Sequence, residues 1–212
     1  ELITWLRSKT YVVALIRQTQ ADAGRSPLSV IRAVLTRWTS HYLAYKRLLE
    51  LKLTLQTLAL QDSLRDTNSK QLVTGDQKAK AKAQEMLKII GNSVFWDAVE
   101  RIKRHLEPLA MATNIMQGIE CRLDVWLQTE LLLWTFGNLY RAFNELTDPA
   151  DRHVKKAVLA SIELRWSKCD QDVFIAAWIF NLYFSVSWFK SHPFLSNRGI
   201  FSLLRRLHNR FF

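Results

Sequence analysis

The chain is 212 residues long and 49% apolar, has 8 Trp and 11 Phe against only 6 Gly and 4 Pro, and carries a net charge of +11. This length allows one or two domains with a sizeable core, and a turn-poor composition rich in Leu, Ala, Lys, Arg and Gln implies an all-α fold. The two cysteines, Cys121 and Cys169, have no Cys-x-x-Cys spacing and no nearby His, which leaves a disulfide framework and a zinc finger unsupported.

The excess of basic residues points to a polyanionic partner, most simply nucleic acid; the alternatives are a basic interaction surface, or a balance set by acidic parts of a longer protein. The sequence opens at Glu1 with no signal peptide and is expected to be an excised piece of a longer protein.

Leu2 to Ala21 has apolar residues largely on helical spacing and predicts one helix, ended by Gly24. Leu28 to Leu35 is ambiguous between a short strand and a helix. Leu43 to Leu60 predicts a long helix with a broad apolar face, and Thr39 or Ser40 is the expected cap. Asp62 to Asp76 is polar, includes Gly75, and predicts an exposed loop that could serve as a hinge.

Gln77 to Ile90 predicts a helix with Lys78, Lys80 and Lys82 near its start, and Asn92-Ser93 a cap for the next, Ser93 to Leu106. Pro108 is expected to open another helix in its first turn. Leu123 to Leu146 predicts an aromatic helix, Thr147-Asp148-Pro149 a stop and restart, and Ala150 to Lys168 an amphipathic helix. Asp170 and Asp172 straddle a helix start, where carboxylates favour free amides and the dipole. The uncharged run Val173 to Phe189 falls short of the roughly 20 residues a membrane span needs, and predicts a buried helix broken near Asn181. Ser202 to Phe212 predicts a basic final helix with Arg205, Arg206 and Arg210. About eight helices are expected, with Trp126, Trp134, Trp166 and Trp178 forming core between them.

Four stretches carry a resemblance. These are Thr36-Arg37-Trp38-Thr39-Ser40 with the following Tyr42 to Glu50; Phe95-Trp96-Asp97 with His105 to Ala110; Cys121-Arg122-Leu123-Asp124 with Thr135 to Leu139; and Ser161 to Trp166 with Asp170 to Ala177. In this order they resemble fungal transposases of the hAT superfamily, over essentially the whole chain. The sequence departs from the family's pattern at Asn181-Leu182, where Asn-Pro is common, and in an expanded segment from Trp126 to Trp134.

The resemblance implies a ribonuclease H-like nuclease core interrupted by a helical insertion. Residues 1–60 would be the end of the first core half, with a short residual ribonuclease H-like portion, and its entry helix; residues 61–212 would be insertion. Family enzymes use two aspartates and a glutamate to hold Mg²⁺ or Mn²⁺, which can clamp attacking and leaving oxygens. By the resemblance these carboxylates lie outside the chain, so no catalytic residue, metal ligand or cofactor is expected within it. It also implies a nuclear location, DNA as partner, self-association as an option, and neither a membrane nor a small-molecule substrate.

The DNA-facing candidates are Arg37 and Trp38, through phosphate pairing and base stacking, and Lys78, Lys80, Lys82, Arg101, Lys103 and Arg104, through phosphate contacts. Each has a structural alternative: Trp38 as core with Arg37 on a carboxylate, and the others as solvated helix faces. Asp97 and Asp124 read as structural, and Glu163 is a further carboxylate open to over-reading as a metal ligand. The function expected is a non-catalytic part of a transposase that supports the nuclease core and contacts transposon-end DNA. The alternative is a protein-interaction or dimerisation module of a degenerate or domesticated element.

Overall fold

The computed structural model describes residues 1–34, 38–119, 125–181 and 193–212, with backbone alone at 38, 118–119 and 125–130. The fold is all-α. Among the described residues there are ten α-helices, where about eight were expected, and no strand. The chain forms two compact units, Glu1–Ala110 and Met111–Phe212, with the division falling inside one long helix.

In the first unit, the predicted opening helix is two, α1 (Leu2–Ser8) and α2 (Thr10–Asp22). Lys9 is extended between them, and the Ser8 hydroxyl donates to the Trp5 carbonyl at 2.8 Å, closing α1 early. Gly24 ends α2 as expected. Its φ of +66° lets its own amide reach Ala21 O and the Arg25 amide reach Gln20 O, at 2.9 and 2.8 Å. This paired reversal satisfies carbonyls that the last helical turn leaves open.

Residues 25–34 form neither helix nor strand. They are pinned instead by Gln20, only 2% exposed, whose amide accepts from Leu28 N at 2.8 Å and donates to Leu28 O at 3.1 Å.

The predicted long helix starts earlier and bends once, giving α3 (Trp38–Glu50) and α4 (Lys52–Ser63). The joint, Leu51, has ψ of −6° and is fully buried. Thr39 and Ser40 lie inside the first turn of α3, and the Ser40 hydroxyl accepts from Val34 N at 2.6 Å, fastening the incoming chain. The loop after α4 is exposed along most of its length but tied down. The buried Asp62 carboxylate accepts from Gln71 N and Leu72 N at 2.6 and 3.1 Å, and seats Leu72 in the core.

Helix α5 (Gln77–Gly91) is capped by Asp76, which accepts from Ala79 N at 2.7 Å. Asn92 accepts from Val94 N at the start of α6 (Ser93–Ile119). Pro108 does not open a new helix; it lies inside α6. A mid-helix proline removes one ladder bond and costs about 3 kcal/mol; Val99 and Ala110, on either side of it in the helix, are buried. The core of this unit joins α1, α2, α4, α5 and the start of α6 through Leu6, Ile16, Leu51, Leu55, Met86 and Trp96. The Trp96 indole donates to Ile90 O at 2.7 Å, so its polar atom is satisfied where its ring is buried.

The second unit contains α7 (Val125–Asn144), α8 (Arg152–Trp166), α9 (Gln171–Phe180) and α10 (Asn197–Phe211). Helix α7 packs on α8 and α9, and α9 on α10. Phe143, Ile162, Trp178 and Leu203 are buried. The expected stop at Asp148-Pro149 is a short 3-10 turn, Pro149–Asp151, with Asp148 accepting from Ala150 N.

The break near Asn181 is present, with α9 ending at Phe180 and Asn181 extended; the rest of the predicted run, 182–189, lies outside the described residues. No described helix is long and apolar enough to cross a membrane. Helix α10 starts at Asn197, earlier than expected, because Ser196 accepts from Gly199 N and caps it. Of the four tryptophans expected in the core, Trp178 is buried and Trp166 meets Phe174 edge-on at 6.0 Å, whereas Trp134 is 40% exposed. The Trp126 side chain lies outside the described atoms.

Candidate nucleic-acid interface

Arg37 lies outside the described residues, as does the side chain of Trp38, whose backbone opens α3. Thr36 also lies outside the described residues, whereas the residues that follow Ser40 in that motif are tied into the fold. Two residues on from Ser40, the Tyr42 hydroxyl donates to Glu107 Oε1 on α6 at 2.7 Å. Lys103 donates to the other oxygen of the same carboxylate at 2.8 Å. One turn further along α3, Arg47 donates to Ser29 O at 2.9 Å and to Glu50 at 2.8 Å. Helix α3 therefore braces both the segment before it and α6.

The electrostatics follow. The hydrogen bond to Glu107, reinforced by burial, pushes the Tyr42 hydroxyl up from 10.0 to about 12. The bonds from Lys103 and Tyr42 hold Glu107 below the usual carboxylate range. Lys103 is thus engaged within the fold rather than presented to a ligand.

The candidate cations do not form one stripe. Lys78 and Lys82 are four residues apart and share a face of α5, while Lys80 lies about 200° round the helix. Lys82 pairs with Glu85 at 2.8 Å and Glu1 at 3.1 Å. Lys78 and Lys80 are exposed and make no ion pair among the described residues. Arg101 and Arg104, three apart and exposed, share a face of α6. These four side chains are the exposed members of the predicted set in the first unit, while Lys82 and Lys103 are part-exposed and held in ion pairs.

The described carboxylates do not make a divalent-metal site. Asp97 and Glu163 are exposed on α6 and α8, and Asp124 is outside the described residues. Asp170 caps α9, accepting from Val173 N at 3.4 Å, and pairs with Arg210 at 2.6 Å. Asp172 accepts twice from Arg206, at 2.9 and 2.7 Å, which holds its carboxyl below the ordinary range. No group of three or more His, Cys, Asp or Glu among the described residues is placed to hold a metal ion.

The Tyr42–Glu107 clasp and the Asp62 and Gln20 anchors have no signature in the sequence. Local spacing does not carry them, because each joins residues that only the tertiary fold brings together. No family model, curated protein or solved structure matches this chain.

Proposed function

We propose that the chain is part of a hAT-like DNA transposase, a helical region that supports a ribonuclease H-like core and contacts transposon-end DNA without supplying the catalytic carboxylates. In this reading the intact protein acts in the nucleus and uses Mg²⁺ or Mn²⁺ held elsewhere. Residues near the N-terminus are the residual ribonuclease H-like portion. The observation that carries the reading is the exposure of Lys78 and Lys80, without ion pairs among the described residues, in a chain of net charge +11. The four ordered motifs supply the family. Arg101 and Arg104 on α6 are further exposed candidates for phosphate contact, and Arg37 with Trp38 supplies the contact nearest the DNA end.

The test is duplex binding by fluorescence anisotropy across a salt series. The chain is expected to bind a labelled duplex with affinity falling steeply as salt rises, since phosphate contacts release counterions. The Lys78→Gln/Lys80→Gln variant should bind more weakly and with a shallower salt slope. An unchanged slope removes these lysines from the interface, and no duplex binding at low salt overturns the reading.

A second reading, a protein-interaction module, is favoured by Leu53, Leu60 and Leu64. They are 54%, 61% and 80% exposed, and their spacing places them on one side of α4 and its end. Salt-insensitive self-association lost in Leu60→Lys, with no DNA binding, would support that reading instead.

A further inference from the structure

Helix α10 is fixed from one side and dressed differently on the other. Leu203 is fully buried, and the helix packs on α9. Arg206 grips Asp172 through two nitrogens, and Arg210 pairs with Asp170 at 2.6 Å. These anchors set the rotation of α10 about its axis.

On the opposite side, Arg198, Phe201, Arg205 and His208 follow one another at spacings of three, four and three residues. At 100° per residue they share one face. All four are exposed, Phe201 at 67%. Arg198 and Arg205 make no ion pair among the described residues, and α10 contains no Asp or Glu. The row is continued by a ring pair, His208 and Phe212, 5.6 Å apart and tilted by 31°.

We propose that this outer stripe of α10 binds single-stranded nucleic acid, with Phe201 stacking on a base and Arg198 and Arg205 holding phosphates on either side. Charge complementarity selects the partner: two unpaired guanidinium groups with no carboxylate beside them on the helix call for a polyanion. At 1.5 Å per residue they lie about 10 Å apart along the axis, with the ring between them. Stacking on an aromatic ring strengthens binding by roughly tenfold or more per base and tolerates any sequence. A duplex keeps its base faces against one another and offers the ring nothing, so the preference for a single strand follows from Phe201. A membrane surface is the poorer fit. An interfacial helix needs one continuous apolar face, and that of α10 is turned inward through Leu203. The inference concerns the second compact unit and does not rest on the α5 and α6 cations.

The test uses the whole chain, a labelled 12-nucleotide oligo-dT and a duplex of the same length, by anisotropy. The wild type is expected to bind the single strand more tightly. Phe201→Ala should weaken single-strand binding about tenfold, in line with the loss of one stacked base, and leave duplex binding nearly unchanged. Phe201→Trp should retain it. Arg198→Ala/Arg205→Ala should bind weakly and with a shallower salt slope. Circular dichroism of each variant checks that the helices are intact.

Single-strand binding unaffected by Phe201→Ala overturns the proposal. So does equal wild-type affinity for duplex and single strand, or binding to phosphatidylserine vesicles with none to either oligonucleotide. The Lys78→Gln/Lys80→Gln variant separates the two proposals: losing duplex but not single-strand binding there, with α10 variants silent, fails this inference alone. The converse fails the α5 reading alone.

Discussion

Tyr42 on α3 and Glu107 on α6 are joined by a 2.7 Å hydrogen bond across 65 positions of sequence, and Lys103 fills the other carboxylate oxygen. The residue after Glu107 is Pro108, which cannot donate to the helix ladder. The clasp therefore holds α6 just where its own backbone is weakest. Tyr42→Phe removes the donor while keeping the ring. A bond to a charged acceptor is worth roughly 1.5–3 kcal/mol when well sheltered, and this one is only partly buried, so about 1 kcal/mol of destabilisation is expected in urea unfolding at pH 7.

The same bond has a pH signature. The Tyr42 hydroxyl is raised from 10.0 to about 12, so the folded state keeps a proton that the unfolded chain releases first. Its contribution is full below pH 10 and is lost as pH rises toward 12. Glu107 is lowered from 4.5, so its contribution is present above that value and lost as pH falls through the folded one. The stability gap between wild type and Tyr42→Phe should therefore narrow from pH 10 upward. A constant gap from pH 8 to 11.5 would show that the phenol does not donate to Glu107 in solution.

Asp62 should be costly to truncate and tolerant of a near-isostere. Its Oδ1 takes the amides of Gln71 and Leu72, while Oδ2 is buried with no hydrogen-bond partner among the described residues. Asp62→Ala strands two amides, each roughly 1–3 kcal/mol if left unsatisfied, less where water reaches Gln71. Asp62→Asn keeps the accepting oxygen and removes the need to bury a charge. We expect a loss of about 2–3 kcal/mol for alanine and under about 1 kcal/mol for asparagine. Amide hydrogen exchange at Leu72 should accelerate in the alanine variant only.

Gly199 reverses the usual helix rule. Alanine in a helix interior is ordinarily better than glycine by roughly 0.5–1 kcal/mol. Here a Cβ would lie 2.6 Å from Pro193 O and closer still to Phe194 O, both backbone atoms of the preceding 3-10 turn. Gly199→Ala should therefore lower the melting temperature rather than raise it. Gly91, whose added Cβ meets nothing within 4 Å, is the control in which alanine should be neutral or better.

What the sequence revealed and what it hid divide along a physical line. The all-α class, the loop after α4, the Gly24 stop and the Asp170 cap follow from composition and from signals within a few residues. The splits at Lys9 and Leu51 and the continuity through Pro108 do not, because packing decides whether a ladder bends or runs on. In the candidate site, exposure of Lys78 and Lys80 was legible as charge on a helix surface. The engagement of Lys82 with Glu1 and of Lys103 within the Tyr42 clasp needed tertiary neighbours distant in sequence.

The Arg206–Asp172 pair tests how α10 is oriented. The guanidinium bonds the carboxylate through two nitrogens and also lies 5.6 Å from the Phe194 ring centroid. Two-pronged geometry favours a measurable coupling, but the arginine is half-exposed, so a double-mutant cycle with Arg206→Ala and Asp172→Ala should give a small coupling that weakens with added salt. Arg206 holds Asp172 below its ordinary 3.8. The coupling should therefore be present above that value and fade as pH falls through the folded one. Arg206→Lys keeps the charge and loses the fork, so it should recover only part of the coupling. Full recovery by lysine would mean that charge alone seats the helix, and zero coupling at pH 7 that Leu203 and its apolar neighbours do so unaided.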